Sequence, residues 1–253
     1  MRLALCLTLL PGFCFAGDTE KLLTVDHYVG VKSTVPSIAG QMAQIYVREV
    51  VQAGPLLREG AAQGRVVLFI HGAGTPAEVS FDVPYQDYSW MAYLAHAGFD
   101  VFAMDMEGYG RSTRPAAMND PCNLSRDQQA TFAPLLAPAS CSPSYPHQMT
   151  TLASDWNDIG AVVDHVRALR HVDKVSLLAW SLGGPRSAGY AAQHADKIDR
   201  LVLLAPAYNR NARAEAPKQI PADGAALQSV ARGVYCKLGP AGRVPRPIRS
   251  GGE

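Results

Sequence analysis

Ser181 is the residue of this sequence best placed for covalent chemistry. It ends the run Val175-Ser176-Leu177-Leu178-Ala179-Trp180-Ser181-Leu182-Gly183-Gly184, in which an apolar stretch meets a serine with small residues two before and two after it. A chain that turns from strand to helix at such a serine holds it in a strained conformation and lifts its Oγ clear of the sheet edge. Ala179 and Gly183 leave the room that this turn requires. The Leu182 N–H and the start of the following helix would then face any anion formed at the serine. The competing interpretation is an ordinary helix N-cap before a Gly-rich turn.

Two further stretches bear on the same chemistry. His71-Gly72-Ala73-Gly74 follows the apolar residues 66–70, where a small-residue loop brings a backbone N–H toward the same anion. Ala73 is the expected donor, with Gly74 next, and each such donor is worth about 3 kcal/mol in a transition state. His71 reads as a brace for the loop rather than as a base, because it stands beside the anion position. Asp105-Met106-Glu107-Gly108-Tyr109-Gly110-Arg111-Ser112 makes a tight return of the chain. There Asp105 and Arg111 are expected to pair structurally, the alternative being that either lines a pocket. Trp180 and Tyr109 are candidates for an apolar pocket wall or for core packing.

The elements that must position these residues follow from periodicity. Residues 23–31 and 42–51 read as an antiparallel pair, with Pro36 and Gly40 in the turn. Residues 65–70, 100–104, 175–179 and 201–205 are short, nearly unbroken apolar runs, the pattern of strands buried on both faces. Between them, 90–97 reads as a short helix ended by Gly98. Thr151 or Ser154 can cap a helix carrying Ile159, Val162, Val163, Val166 and Leu169 on one face, and 184–194 forms another. Strand and helix in alternation imply a mostly parallel sheet covered by helices, an α/β fold in one domain.

Composition adds bounds. The chain has 253 residues, 48% apolar and 18% charged, with a formal net charge of +1. No charge bias points to nucleic acid. Residues 1–16 carry Arg2, an apolar run from Leu3 to Leu10 and the small residue Ala16, the pattern of an export signal, and so of a secreted or periplasmic protein. The run falls short of the roughly 20 residues a membrane span requires. A lipoprotein through Cys14 is the weaker alternative. After cleavage at 16, Cys122, Cys141 and Cys236 remain. Cys122 and Cys141 form a candidate disulfide, which would contribute on the order of 3 kcal/mol by loop closure. They lie in the proline-rich excursion 115–148, read as a lid over the site or a surface insertion. No metal-ligand spacing surrounds them, and no cofactor is expected.

The order H-G-x-G, D-x-x-G-x-G-x-S, then S-x-G-G after a buried strand resembles the α/β-hydrolase superfamily, over about residues 40–207. The likeness is to its esterase, lipase and epoxide-hydrolase group. The resemblance implies a three-layer fold, Ser181 as nucleophile and the N–H groups of Ala73 and Leu182 as oxyanion hole. His71, Gly72, Gly74, Asp105 and Gly183 are supporting residues. Ala179 departs from the family's usual glycine. A serine rather than an aspartate suits acyl transfer, so a small-molecule carboxylic ester is the expected substrate.

The same resemblance implies an acid and then a histidine after the nucleophile. Past Ser181 the sequence holds His194 and no later histidine. Asp196 and Asp199 precede a strand, while Glu215 and Asp223 are in acceptable order but follow no recognisable further strand. Residues 228–253 form an atypical tail, with five basic residues and one acid from Arg232 onward. It reads as a frameshifted or interrupted continuation, the alternative being a basic interaction arm. The expected organisation is therefore a signal at 1–16, a partial hydrolase domain at 17–227, incomplete at its C-terminus, and this tail. A catalytically silent fold with a binding role is the competing function.

Overall fold

The computed structural model describes residues 21–54, 63–132 and 141–207. The expectations for residues 1–16, Cys14, Glu215, Asp223, Cys236 and the tail 228–253 lie outside these.

Six strands form one sheet in the order β1-β2-β4-β3-β5-β6. β1 (Leu22–Lys32) and β2 (Met42–Gln52) make the expected antiparallel pair, and β2 runs antiparallel to β4 (Asp100–Met104). From there the sheet is parallel through β3 (Val66–Ile70), β5 (Val175–Trp180) and β6 (Ile198–Leu204). Every residue of β3 and β4 is buried, as their nearly unbroken apolar sequences require, and the one carboxylate among them, Asp100, is paired with Arg170.

Helices cover both faces. α1 (Ala77–Phe81) and α2 (Trp90–His96) place Ala77, Phe81, Met91 and Ala95 against Phe69, Val101 and Ala103. On the opposite face, α4 (Leu152–Arg170) sets Ile159, Val162, Val163 and Val166 over Leu68, Ile70, Met104 and Leu177. Full burial of each such aliphatic side chain stabilises the fold by about 1.5–3 kcal/mol. α4 starts on a reciprocal cap: Thr151 Oγ1 accepts the Ser154 N–H, and Ser154 Oγ accepts the Thr151 N–H. The helix α5 (Gly183–Gln193) follows β5 directly. No described helix is long and apolar enough to cross a membrane.

Two readings need correction. The last strand starts at Ile198 rather than 201. It is also not buried: Val202, Leu203 and Leu204 are 41–51% exposed, because β6 ends the described sheet and no described element covers its outer side. The excursion carries regular structure. It holds 3₁₀ turns at Ala116–Asn119 and Pro121–Asn123, then α3 (Arg126–Phe132). Apolar periodicity misses these because hydrogen bonds organise them. Gln129 donates to the carbonyls of Cys122, Leu124 and Cys141 and accepts the Cys141 N–H. Asn123 donates to Ala117 O and accepts the Tyr145 N–H.

Cys122 and Cys141 are disulfide-bonded, with Cα atoms 5.2 Å apart. The bridge and the Gln129 hub fasten the same two strands of the excursion. Replacing both cysteines with serine is expected to lower stability by about 2–4 kcal/mol, mostly by freeing the unfolded chain. A urea titration of the double variant against the oxidised protein reads this as a lower midpoint; an unchanged midpoint would assign the constraint to the Gln129 hub alone.

Candidate active site

Ser181 adopts a left-handed backbone conformation, φ +53°, between β5 and α5. A non-glycine residue there is strained, so the surroundings must enforce it. Its N–H donates to Leu204 O at 3.0 Å, and its carbonyl accepts the N–H groups of Gly184 (2.9 Å) and Ala207 (2.8 Å). The turn is thus tied to its own helix and to the exit of β6.

Close packing explains the small residues. A Cβ on Gly183 would lie 2.4 Å from Ile70 O and 2.9 Å from His71 O, and one on Gly72 would lie 3.0 Å from Ser181 Cβ. The backbone of the 71–74 loop is therefore pressed directly against the serine turn, as the two motifs separately implied. Gly74 takes φ +80° in that loop. Ala73 and Leu182 donate their N–H groups to no acceptor among the described residues.

His71 is fully buried. Its Nδ1 lies 2.7 Å from Gly72 O and its Nε2 3.1 Å from the Met106 N. Since the Met106 amide must donate to Nε2, the proton sits on Nδ1 and the ring is neutral. Burial, joined by the nearby Arg186 charge, pushes its pKa down to about 3. Both nitrogens are engaged, so His71 braces the loop and has no lone pair free for a base.

The expected Asp105–Arg111 ion pair does not form between side chains. Asp105 instead accepts two backbone N–H groups, Ala77 at 2.7 Å and Arg111 at 2.9 Å, while the Arg111 guanidinium reaches Asp26 and Glu78. Backbone donors win because the return of the chain aims them inward at a buried carboxyl. Burial nevertheless raises the Asp105 pKa, against the pull of those two donors. Gly110 must lack a side chain, since a Cβ would sit 1.9 Å from Asp105 Oδ2. Tyr109 packs on the His71 ring at 4.5 Å, and the partly buried Trp180 packs against the core.

No histidine is hydrogen-bonded to Ser181 among the described residues. His194 caps the end of α5 with its ring on Tyr190, His165 faces His27, and His147 meets Tyr145 edge-on. His171 ends α4 and His96 lies in the last turn of α2. Asp199 lies within β6, facing Ser176. Among the described residues no group of three His, Cys, Asp or Glu could hold a metal ion.

A cleft of about 680 Å³ opens beside the turn, bordered by Leu182, Pro185, Trp156, Leu152, Leu203 and Pro206. Gln148 and Thr150 bring the end of the excursion to its rim. Two buried groups behind the site escaped the sequence reading: Arg186 of α5 and Asp155 of α4, paired at 2.7 Å. Their signal was spacing, because Arg186 shares the inward face of α5 with Gly183 and Tyr190.

A left-handed serine between a buried parallel strand and a helix, backed by a small-residue loop from a neighbouring strand, defines the α/β-hydrolase class. The chain belongs to the alpha/beta hydrolase fold family, whose profile matches residues 65–234. No curated protein matches it. Among solved structures it is similar to a probable hydrolytic enzyme from Pseudomonas aeruginosa PAO1, at 21% identity and a TM-score of 0.45, over 72% of this chain and 41% of that one. A CIB-like hydrolase from Thermoplasma acidophilum matches at 15% identity and 0.45, over 74% of this chain and 65% of that one. An epoxide hydrolase from Vigna radiata matches at 20% and 0.40, over 72% and 38%. The chain thus spans between about two fifths and two thirds of the length of these proteins.

Two outcomes are expected from this geometry. Because the folded value of His71 lies below its ordinary 6.5, the unfolded chain binds the proton first as pH falls. The stabilisation is complete above pH 6.5 and declines by about 1.4 kcal/mol per pH unit down toward pH 3. Urea midpoints from pH 7 to pH 4 should therefore fall more steeply for the wild type than for His71→Asn; parallel curves would refute a neutral buried His71. Gly183→Ala should cost about 1–3 kcal/mol through overlap with Ile70 O, read as a lower thermal midpoint.

Proposed function

We propose that the protein is a serine hydrolase acting on small-molecule carboxylic esters, with Ser181 as nucleophile. The observation that carries this reading is the strained, left-handed Ser181 pressed against Gly72. Ser181 Oγ attacks the ester carbonyl, and the resulting oxyanion accepts the Ala73 and Leu182 N–H groups. Collapse of the tetrahedral intermediate expels the alcohol and leaves an acyl-serine, which water hydrolyses. The apolar cleft beside Leu182 suits the hydrophobic portion of such an ester. This chemistry calls for no metal or organic cofactor. The export pattern of residues 1–16 and the Cys122–Cys141 bridge support a secreted or periplasmic setting.

Among the described residues the histidines all pack away from Ser181. A site with nucleophile and oxyanion donors but no base retains about 10³–10⁴-fold catalysis over water. The same inventory favours a second reading, a catalytically silent fold that binds a ligand. Added imidazole separates the two. If the proposed chemistry holds, imidazole accelerates both p-nitrophenyl ester cleavage and fluorophosphonate labelling, and Ser181→Ala abolishes the gain. Equal rates for wild type and Ser181→Ala at every imidazole concentration would leave the silent fold.

A further inference from the structure

Arg186 lies in the first turn of α5, only 2% exposed, and spends its guanidinium on more than one partner. Its Nε donates to Asp155 Oδ2 at 2.7 Å. One terminal nitrogen donates to His71 O at 3.3 Å and to Gly72 O at 3.4 Å, and the group lies 5.6 Å from the centre of the Tyr109 ring. A buried Arg–Asp pair is costly to desolvate and weak evidence for stability by itself. Burial raises the Asp155 carboxyl, and the Arg186 charge opposes that rise. Its placement is more informative than its strength.

In a trans peptide the C=O and the next N–H point in opposite directions. The peptide that carries the Ala73 N–H is the one whose carbonyl is Gly72 O. That oxygen faces two donors, His71 Nδ1 and Arg186. Fixing the carbonyl end of the plane fixes the direction of its N–H end. The second donor peptide is built the same way: the carbonyl partner of the Leu182 N–H is Ser181 O, held by Gly184 and Ala207. A cation on Gly72 O also polarises the plane and strengthens its N–H as a donor.

We propose that Arg186, oriented by Asp155, is a positioning residue that sets the Ala73 N–H by clamping the carbonyls of His71 and Gly72. Its catalytic consequence rests on the acyl-transfer reading of Ser181; the clamp itself does not. Because Arg186 belongs to the helix that Ser181 begins, the nucleophile and the loop donor are held in one register by a single side chain.

The test compares the full chain with Arg186→Met, Arg186→Lys and Asp155→Asn by two measurements. Hydrogen exchange of peptides covering 70–76 should quicken about tenfold or more in Arg186→Met, and less in Arg186→Lys, which keeps the charge but loses the fork. Exchange in the β1–β2 pair should stay unchanged, which separates loosening of the loop from global unfolding. Imidazole-supported fluorophosphonate labelling of Ser181 should slow by about 10–100-fold in Arg186→Met, short of the ~10²–10³ expected from losing an oxyanion donor outright. Unchanged exchange at 70–76 in all three variants overturns the clamp. If Arg186→Met does not fold, Arg186→Lys and Asp155→Asn decide by the same criterion. If wild type never labels, the hydrolase reading fails while exchange still decides the clamp. If wild type labels and the variants match it in both measurements, the clamp fails while the hydrolase reading stands.

Discussion

The site depends on one steric constraint: the backbone must pass from β5 into α5 at Ser181 within contact distance of the loop that leaves β3. Ile70 O, His71 O and Ser181 Cβ approach so closely that side chains at Gly72 and Gly183 are excluded. The strained φ of Ser181 results from this crowding, and so does the nearness of loop and serine. Parallel pairing of β3 with β5 makes it possible, because it brings Ile70 level with Ala179 and so delivers both chain exits to one edge. Ligands of open parallel sheets bind at that edge, beyond the carboxyl ends of the strands.

Around this crossing the polar groups form a continuous backing. His71 connects the loop to Met106, Asp105 connects Ala77 to Arg111, and Ser112 ties Asp105 O to the Tyr46 N–H of β2. Behind them the Glu107 amide donates to Asp158 and the Glu107 carboxylate accepts from Ser33. These links converge on residues 105–107 at the exit of β4 and join it to the 71–74 loop, α1, β2 and α4. Rigidity at the serine therefore comes from fixed backbone dipoles buried away from water, where such interactions are strongest.

Much of the fold was legible in sequence because β3, β4 and β5 carry nearly unbroken apolar runs, and those admit few alternatives. α1 was missed, being only a turn and a half long, and α3 was missed because hydrogen bonds rather than apolar spacing define it. The serine turn and the 71–74 loop were readable from small residues alone. For Asp105 the sequence suggests Arg111 as an ion-pair partner, whereas the structure gives it two backbone N–H groups, since a sequence shows that a charge is nearby and not that a backbone N–H is nearer. Arg186 was overlooked for the same reason: its value lies in two carbonyls, and carbonyls carry no signature in sequence.

No histidine among the described residues neighbours the Ser181 hydroxyl, and this can be placed against the same backing. A base is contributed by a separate element and touches only the serine hydroxyl. The N–H groups of Ala73 and Leu182 belong to the peptides that shape the turn, so they cannot be lost without losing the crossing itself. Ser181 O and Gly72 O are each held from two sides, whatever stands opposite the hydroxyl. On the acyl-transfer proposal, the preorganised part of the chemistry is thus a property of the fold's packing, while activation of Ser181 is a separable addition. For this reason the directions of these two N–H groups are set independently of any base.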